Sequence, residues 1–371
     1  MNNAHIISIG SLASFSRGLT YSRSDEVDYS SNVVLRSNNI DLATNTLNFD
    51  ELKYISDAIN IPEDKKLQRN SIFMCMSNGS KQHLGKVAFI DRDYPYAFGG
   101  FMGLIKPKED IIIPKLLYYY FCSSKFKGFL SSIGNGANIN NIKFVDIAKD
   151  YISVPEKTTQ QSIIEELDKI NELIRLKKEQ LKDYDNLAQS IFYEMFGDPV
   201  VNEKGWEVKK FADLYKLKSG DSLSAKNFVE GEIPVYGGNG ISGYHNDFNM
   251  DGDFIIIGRV GVYCGNVREV HGKFWLTDNA FQLFYNREIQ YPCFIHYLLE
   301  ILDLHQYANA AAQPVISNLT LKDVEIIIPP LPLQQAFAQR IELIEQQKAE
   351  IQSTIADLET LLASRMQYWF D

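Results

Sequence analysis

The stretch TTQQSIIEELDKINELIRLKKEQLKDYDNLAQSIFYEMFGD, residues 158–198, indicates one long amphipathic helix, because its apolar residues recur at alternating four- and three-residue steps. A second stretch, LPLQQAFAQRIELIEQQKAEIQSTIADLETLLASRMQYWFD, residues 331–371, has the same spacing. Apolar positions kept at this spacing over several heptads indicate helices that pair in a coiled coil. The alternative is two unrelated long helices, each packed on its own core. Lys177, Lys348 and Arg365 interrupt the apolar series. The predicted helix-pairing residues are Ile163, Leu167, Ile170, Ile174, Leu181, Tyr184, Ile191, Phe337, Ile341, Ile344, Ile351, Ile355, Leu358 and Leu362.

The two stretches belong to an internal repeat. The second is the first displaced by 174 residues, and the segments upstream of each stretch also match at slightly different offsets. The chain is therefore predicted to contain two copies of one plan, a globular domain followed by a long helix. The matched pairs are Pro155 with Pro329, Gln160 with Gln334, Phe196 with Phe370, Gly18 with Gly220, Gly85 with Gly265, Phe101 with Phe281, and Asn141 with Asn318.

The segments between the helices predict an α+β fold. Runs such as NSIFMCMSNGS and DGDFIIIGRVG are rich in β-branched and aromatic residues and end in Gly, Asn or Asp, which is typical of strands joined by turns. We predict globular domains at 1–157 and 203–332, and spacer helices at 158–202 and 333–371. Because the second helix must return to the first, the pair is expected to be antiparallel, with the globular domains at opposite ends.

The predicted spacer has a length that suits DNA. A seam of about 33 residues at ~1.5 Å per residue spans ~50 Å. One turn of duplex DNA is ~34 Å, so two domains on such a spacer would each meet DNA about a turn apart. This arrangement favours a reader of a two-part DNA site over an enzyme acting on a small molecule.

Composition excludes few classes of partner. No apolar run of the 371-residue chain approaches the ~20 residues of a membrane helix, and the N-terminus lacks a signal-peptide pattern, which predicts a cytoplasmic protein without a membrane partner. The widely spaced Cys75, Cys122, Cys264 and Cys293 predict unpaired thiols and no metal site. The net charge of −10 argues at first against nucleic acid, but residues 1–157 carry 18 Lys and Arg against 16 Asp and Glu. A local basic surface is therefore compatible with the acidic whole.

Two glycine-rich segments resemble nucleotide-binding loops but lack an essential part of each motif. Residues 237–245, GGNGISGYH, contain G-x-G-x-x-G, yet YHNDFNMDGDF follows where a dinucleotide site needs a helix. Residues 79–87, GSKQHLGKV, have five residues between the glycines, and Val87 stands where a Walker loop needs Ser or Thr. The sequence shows no methyltransferase, nuclease, serine-hydrolase or zinc-protease motif. We therefore predict a chain without catalytic residues, metal site or cofactor of its own.

Polar loop residues recur at corresponding places in both copies, and they are the candidate DNA-binding residues. Arg pairs with guanine, Asn and Gln pair with adenine, and Lys contacts phosphate in the grooves of DNA. The same residue types also cap turns, so each candidate has a purely structural alternative. The candidates are Arg17, Ser80, Lys81, Gln82, His83, Lys86, Asn138, Asn140, Lys218, Tyr236, Asn239, Tyr244, His245, Arg259, Tyr263, Gln313, Ser317 and Asn318.

With these features in place, the sequence resembles the specificity (S) subunits of type I restriction–modification enzymes. The resemblance covers nearly the whole chain and rests on the two repeats, on IPVYGGNGISGY and FIIIGRVGVYCGNV, and on the junctions SNLTLKDVEIIIPPLPLQQAFAQRI and NNIKFVDIAKDYISVPEKTTQQSII. Copy one departs from the pattern, since no GGNG loop precedes Gly85.

The resemblance implies a non-catalytic subunit of a DNA-modifying complex. The globular domains would be target recognition domains 1 and 2, each reading one half of a bipartite double-stranded DNA site, and the paired helices would set the spacer. Two modification (methyltransferase) subunits would supply AdoMet-dependent methylation of adenine, and restriction (translocase) subunits would use ATP and Mg. The alternative is a coiled-coil scaffold whose globular domains bind proteins.

Overall fold

The computed structural model describes residues 4–133, 141–309 and 313–371. The chain divides into two units: unit 1 consists of residues 1–176 and 355–371, and unit 2 of residues 177–354. Each unit contains most of one predicted globular domain together with part of each long helix. The predicted α+β class is confirmed, because both units combine sheets with helices.

The elements follow the chain in two similar series. The strands are β1 (His5–Ser8), β2 (Ala13–Arg17), β3 (Glu26–Val27), β4 (Asn32–Leu35), β5 (Lys53–Ile55), β6 (Ser71–Cys75), β7 (Val87–Ile90), β8 (Ala97–Phe98), β9 (Met102–Pro107), β10 (Tyr151–Val154), β11 (Glu207–Lys210), β12 (Lys216–Ser219), β13 (Ile233–Gly237), β14 (Gly240–His245), β15 (Met250–Gly258), β16 (Val267–Leu276), β17 (Ala280–Phe284) and β18 (Glu325–Ile328). The α-helices are α1 (Ile9–Leu12), α2 (Pro114–Cys122), α3 (Ser124–Ile133), α4 (Phe144–Ile147), α5 (Lys157–Phe196), α6 (Phe211–Leu214), α7 (Pro292–Ile301), α8 (Asn318–Leu321) and α9 (Leu331–Phe370). Short 3-10 helices cover Arg23–Asp25, Ser37–Asn39, Glu63–Lys65, Lys81–His83, Ala225–Asn227 and Leu304–Tyr307.

Unit 1 is organised around a strand that is buried on both faces. Its sheets have the strand orders β2-β9-β6-β7, β3-β5-β4-β8 and β1-β10. Side chains of a strand alternate between the two faces of its sheet. In β6, Ile72 and Met74 therefore enter the core that contains helix α2, whereas Phe73 and Cys75 enter a second core on the other face. This explains why the whole segment SIFMC is apolar apart from its first residue.

Unit 2 repeats the arrangement with longer strands. Its larger sheet has the order β12-β17-β15-β16-β13-β14, and β11 pairs with β18 as β1 pairs with β10. In β15, Ile255 and Ile257 enter the core that contains α7, and Ile256 enters the core on the opposite face. Helices α2 and α7 each begin with a proline, Pro114 and Pro292, at the first turn, where the missing N–H leaves no bond unmade.

The long helices pair in an antiparallel sense within each unit, as predicted. In unit 1 the Glu166 carboxylate of α5 accepts hydrogen bonds from Arg365 and from the Trp369 indole of α9. In unit 2 the Lys348 ammonium of α9 lies 2.8 Å from the Asp185 carboxylate of α5. Arg340 of α9 lies 3.9 Å from Glu194 of α5, so within unit 2 the residue numbers rise along one helix as they fall along the other. Two of the polar residues that interrupt the apolar series, Lys348 and Arg365, therefore form ion pairs between the two helices.

The predicted helix-pairing residues are all buried or half-buried. Those at or below 8% exposure are Ile163, Leu167, Ile170, Ile174, Phe337, Ile341, Ile344, Ile351 and Ile355. The half-buried ones are Leu181, Tyr184, Ile191, Leu358 and Leu362.

The apolar face of α5 changes near the end of the helix. Ala188, Phe192 and Phe196 are at most 1% exposed and follow four-residue steps, whereas the predicted series continues through Ile191, which is only half-buried. Phe196 contacts Phe294 of α7 and Phe337 of α9, with ring centroids 4.8 and 5.3 Å away. The heptad therefore gives way to a face that packs on the core of unit 2. Alanine and phenylalanine at four-residue intervals were the signal that the sequence offered.

Candidate nucleic-acid interface

Each unit gathers its polar loops at one place, where backbone hydrogen bonds hold them together. We call the loops at 17–19, 36–39, 76–86, 99–101 and 141–143 loop cluster 1. Those at 218–221, 237–240, 259–266, 277–279 and 313–318 form loop cluster 2. In loop cluster 2, Arg259 N donates to Asn279 O (2.9 Å), and Gly261 N donates to Pro314 O (2.9 Å). Ile316 N donates to Arg259 O (3.0 Å), so three separate loops share one backbone network.

Loop cluster 1 contains the same bonds. Met76 N donates to Phe101 O (3.0 Å), and Ile142 N donates to Met76 O (2.7 Å). These bonds make Met76 equivalent to Arg259. They make Phe101 equivalent to Asn279 and Ile142 equivalent to Ile316.

The glycine landmarks in the two clusters also correspond. Gly18 N donates to Met102 O (3.2 Å), as Gly220 N does to Ala280 O (3.2 Å). Gly85 N donates to Cys75 O (2.9 Å), as Gly265 N does to Gly258 O (2.7 Å). The predicted matches of Gly18 with Gly220 and of Gly85 with Gly265 are therefore confirmed.

Two other predicted matches are corrected by this geometry. Phe101 is equivalent to Asn279 and not to Phe281, because both carbonyls accept the bond from the neighbouring loop. Asn141 is equivalent to Val315 and not to Asn318, since the residues that follow them, Ile142 and Ile316, make the equivalent bond. Sequence identity misled the alignment here because loops of different length keep the same backbone contacts.

The glycine-rich stretch GGNGISGYH forms a hairpin turn between two strands. Strand β13 ends at Gly237, which pairs with Gly240 at the start of β14. Gly240 has φ +93°, a conformation that favours glycine. A Cβ on Gly238 would lie 2.7 Å from Val260 O, so this glycine lets the turn pack on the 259–266 loop. Asn239 is exposed at the tip.

The predicted DNA-binding residues separate into exposed and internally bonded groups. Asn138 and Asn140 lie outside the described residues, as does the side chain of Lys81. Within the described residues, the exposed candidates whose side chains extend to solvent are Arg17, Ser80, Gln82, Lys218, Asn239, Tyr244, Tyr263 and Gln313. Of these, Tyr244 lies on β14 beyond loop cluster 2.

Lys86 and His245 are buried, each 8% exposed. The Lys86 ammonium donates to Ile40 O (2.8 Å), and burial lowers the pKa of this lysine. His245 Nδ1 accepts a hydrogen bond from Val229 N (3.0 Å), and its ring lies edge-on to Trp275. Both side chains serve the fold in this structure, so we leave them out of the proposed interface.

Ser317 and Asn318 hold backbone in place. Ser317 Oγ accepts from Thr320 N (3.2 Å) and caps helix α8. The Asn318 side chain accepts from Leu217 N (3.0 Å) and donates to Leu217 O (3.1 Å), as a neighbouring strand would. These contacts correspond to the structural alternative for polar loop residues.

Three further candidates are half-buried. Arg259 donates to Ser219 Oγ (3.1 Å) and Asp278 O (3.2 Å), which fixes its guanidinium at the base of loop cluster 2. The Tyr236 ring packs on Phe274 with centroids 5.5 Å apart. The Nδ1 atom of His83 is buried without a hydrogen-bond partner in the described part of the chain.

The exposed side chains of the loop clusters that were not among the predicted residues include those of Phe101, Val262 and Asn279. Phe101 is 74% exposed in loop cluster 1, and Val262 is 78% exposed in loop cluster 2. Asn279 is exposed in loop cluster 2. The reasoning from sequence selected polar and basic side chains, and therefore passed over apolar residues at loop tips. The sequence did offer one indication that Phe101 and Val262 lie in turns, because glycines precede them in GGF at 99–101 and GV at 261–262.

A groove in unit 2 carries a cluster of charge apart from loop cluster 2. It has a volume of about 1330 Å³ and is lined by residues of α5, α7, α9 and β16. His296 lies between Glu269 (3.6 Å) and Glu300 (3.5 Å). Burial lowers the pKa of the imidazole, but the two carboxylates outweigh this effect and raise the pKa to about 9. The histidine is therefore a cation at neutral pH.

The described residues contain no group of three or more His, Cys, Asp or Glu side chains placed to hold a metal ion. All four cysteines are unpaired thiols. Over the described ranges, every helix is too short or too polar to cross a bilayer.

Comparison with known proteins agrees with this architecture. The chain belongs to the family of type I restriction modification DNA specificity domains, whose pattern matches residues 1–183 and 203–359. It is 28% identical over 232 residues to the type I restriction enzyme EcoprrI specificity subunit of Escherichia coli, covering 59% of this chain and 57% of that protein. It is 26% identical over 276 residues to the MjaIX specificity subunit of Methanocaldococcus jannaschii, covering 64% and 63%. The chain thus spans little more than half the length of these relatives.

Solved structures share the fold. The S subunit of a type I restriction–modification system from M. genitalium superposes with a TM-score of 0.57 at 16% identity, over 100% of this chain and 96% of that chain. A chain from a structure describing complex assembly and conformational transition of the type I system superposes with a TM-score of 0.60 at 16% identity, over 99% and 97%. The chain therefore shares the fold of the M. genitalium S subunit.

Proposed function

We propose that this chain is the DNA-specificity subunit of a type I restriction–modification complex. Each loop cluster binds one half of a bipartite double-stranded DNA target. The observation that carries this proposal is that one backbone network occurs twice with different exposed side chains. Loop cluster 1 presents Arg17, Ser80 and Gln82, whereas loop cluster 2 presents Lys218, Asn239 and Tyr263. A duplicated scaffold with two surfaces suits two half-sites of different sequence.

The chemistry of the exposed side chains supports DNA as the ligand. Arginine, asparagine and glutamine match the hydrogen-bonding edges of bases in the major groove, and lysine contacts phosphate. Serine and tyrosine add hydroxyls that bind phosphate or sugar. The same side chains would also contact a polar protein surface, which is why DNA retention has to be measured directly.

The long helices have the second role in this proposal, as spacer and as docking surface for two modification subunits. Helices α5 and α9 have 40 residues each. At ~1.5 Å per residue, a helix of this length extends ~60 Å. Methylation with AdoMet and ATP-dependent restriction with Mg would reside in the modification and restriction subunits, and this chain would supply no catalytic residue. The complex would act on cytoplasmic DNA.

Methylation mapping tests the proposal. The chain would be expressed with candidate modification subunits in a host without other adenine methylation, and methylated adenines would be located by single-molecule sequencing. We expect one bipartite motif in which two short specific sequences flank an unspecified spacer. Absence of such a motif, with the complex assembled, would contradict the proposal.

Two variants assign the half-sites. Gln82→Ala in loop cluster 1 and Asn239→Ala in loop cluster 2 should each relax the motif in a different half. Lys209→Ala serves as a control, because Lys209 is exposed on β11 of unit 2, outside the loop cluster. Loss of both halves in either single variant would indicate a change in folding instead of readout.

Salt dependence separates the scaffold alternative from the DNA hypothesis. A DNA complex that neutralises several phosphates loses affinity steeply as salt rises, because condensed counterions are released on binding. Lys218→Ala should reduce the slope of log Kd against log salt by about one, whereas Lys209→Ala should leave it unchanged. A protein-binding scaffold would show no DNA retention even at low salt.

A further inference from the structure

Residues 101 and 279 occupy one equivalent position in the two loop clusters, and the fold fixes their backbone in the same way. Phe101 O accepts bonds from Met76 N (3.0 Å) and Ser77 N (3.1 Å), and Asn279 O accepts one from Arg259 N (2.9 Å). Each residue directly precedes a strand, β9 or β17. The position therefore lies where two loops of each cluster join.

The turns that carry this position are also alike. Met102 N donates to Gly99 O (2.8 Å), and Ala280 N donates to Thr277 O (3.1 Å). A turn closed on one side and bonded to a neighbouring loop on the other leaves the backbone little freedom. The side chain at this position is thus presented by a fixed frame.

Neither side chain contributes to the packing of its own unit. Phe101 is 74% exposed, although the nearby Phe98 and Phe73 are fully buried. Within the described residues, the side-chain amide of Asn279 makes no hydrogen bond, and the bonds of this residue are made by its backbone N–H and carbonyl. An exposed phenyl ring and a carboxamide without a hydrogen bond add little to the stability of the folded chain. Their presence on a rigid backbone therefore favours a role in binding.

The two side chains match different base edges. A phenyl ring has no hydrogen-bonding group and suits the 5-methyl group of thymine, whereas a carboxamide forms two hydrogen bonds with N6 and N7 of adenine. We propose that position 101/279 determines specificity in both half-sites: Phe101 contacts a thymine methyl, and Asn279 pairs with an adenine. This inference rests on the proposed DNA-binding function and names two base contacts within it.

The test compares DNA selected by wild-type protein and by variants, using the full chain assembled with its modification subunits and a pool of randomised duplexes. Phe101→Ala should lose the preference for thymine at one position of one half-site and keep the other half-site. Phe101→Leu should retain part of that preference, because leucine remains apolar. Asn279→Ala should lose adenine at one position of the opposite half-site.

Modified bases sharpen the outcome. Replacing the selected thymine by uracil removes only the methyl group and should weaken wild-type binding roughly 4-fold, the effect of no longer burying one methyl group. Phe101→Ala should bind both duplexes equally. Replacing the selected adenine by 7-deazaadenine should weaken wild type but not Asn279→Ala.

Two control variants remove an exposed aromatic residue and an exposed asparagine at positions outside the loop clusters. Tyr151 is an aromatic residue 57% exposed on β10, and Asn246 is an exposed asparagine beyond the end of β14 distant from its turn. Tyr151→Ala and Asn246→Ala should leave both half-sites unchanged. If a bipartite target is selected and Phe101→Ala and Asn279→Ala leave it unaltered, the inference fails while the proposed function stands. If the wild-type complex selects no bipartite target, both fail.

Discussion

Gln160 and Gln334 make the same three hydrogen bonds in the two repeats, although each is buried. The Gln160 side-chain oxygen accepts from Ile113 N (2.7 Å), and that of Gln334 accepts from Tyr291 N (2.8 Å). Each side-chain nitrogen donates to two backbone carbonyls, at 3.2 and 2.8 Å for Gln160 and at 3.0 and 2.7 Å for Gln334. The glutamine therefore joins the start of each long helix to the loop before α2 or α7.

Replacing either glutamine by leucine should destabilise the corresponding unit. Gln160→Leu would leave three partly buried backbone groups without this partner, at a cost of about 2–4 kcal/mol for several lost bonds. The Ile113 amide should also exchange its hydrogen faster, which hydrogen–deuterium exchange mass spectrometry would measure. Gln161→Leu is the matched control, because Gln161 is the exposed neighbour on the same helix. Equal effects of the two substitutions would contradict this role.

The charge on His296 predicts a pH dependence of stability. Its folded pKa of about 9 lies above the ordinary value of 6.5, because the Glu269 and Glu300 carboxylates outweigh the effect of burial. A raised pKa contributes stability that is complete below about pH 6.5 and is lost as pH rises through about 9. The difference in thermal midpoint between wild type and His296→Gln should therefore shrink between pH 7 and 10, as a scan across this range would show.

An exposed histidine provides the control for that scan. His271 lies 2.8 Å from Asp253, and its side chain is 67% exposed. His271→Gln should change the midpoint little at any pH, since an ion pair at the surface contributes at most about 1 kcal/mol. A constant difference between wild type and His296→Gln up to pH 10 would show that the histidine is not held as a cation.

The aromatic cluster at the end of α5 predicts a large effect of truncation. Phe196 is fully buried, and its ring lies 4.8 Å from that of Phe294 and 5.3 Å from that of Phe337. Phe196→Ala should cost unit 2 about 3–5 kcal/mol, because a buried phenyl ring is lost and a cavity remains. The Trp206 indole donates to Phe196 O (2.7 Å), so tryptophan fluorescence should report the change.

Tyr193→Ala is the comparison for the phenylalanine, because it removes an aromatic ring from the same helix at a side chain that is 39% exposed. It should shift the unfolding midpoint much less. A similar shift for both would mean that the helix, and not the aromatic cluster, sets the stability of this part of unit 2.

The sequence predicted the long helices and the repeat because both depend on local periodicity. Apolar residues at this spacing form one face of a helix, and that face is buried against whatever the helix packs on. The buried residues of this face include Ile163 and Leu167 of α5 and Ile341 and Ile344 of α9. The change of face at Phe192 was missed, because it depends on the tertiary contact with Phe294 in α7. Residue spacing alone does not reveal which neighbour a helix meets.

Loop chemistry was less accessible from the sequence. Lys86 and Arg17 are both basic residues near a loop. Lys86 is nevertheless buried, with its ammonium donating to Ile40 O, whereas Arg17 is exposed. The difference arises from backbone geometry that composition does not encode. Phe101 shows the converse, since an apolar residue that a sequence assigns to the core lies at the surface. The position of Phe101 was recognised from its backbone hydrogen bond, which matches that of Asn279. Such a bond forms between loops that are distant in the sequence, so the sequence does not show it.

The antiparallel helices lead to a prediction about target spacing. Removing one heptad from each helix at the same level, residues 174–180 of α5 and 352–358 of α9, should preserve the apolar seam. It should shorten the spacer by ~10 Å at ~1.5 Å per residue, or about three base pairs at ~3.4 Å each. The methylated motif should keep both half-sites and lose about three base pairs of unspecified spacer, because the loop clusters are unchanged. Deleting the heptad from α5 alone is the control, since it misaligns the pair and should reduce assembly. A motif with altered half-sites and the original spacing would reverse the roles assigned to the loops and the helices.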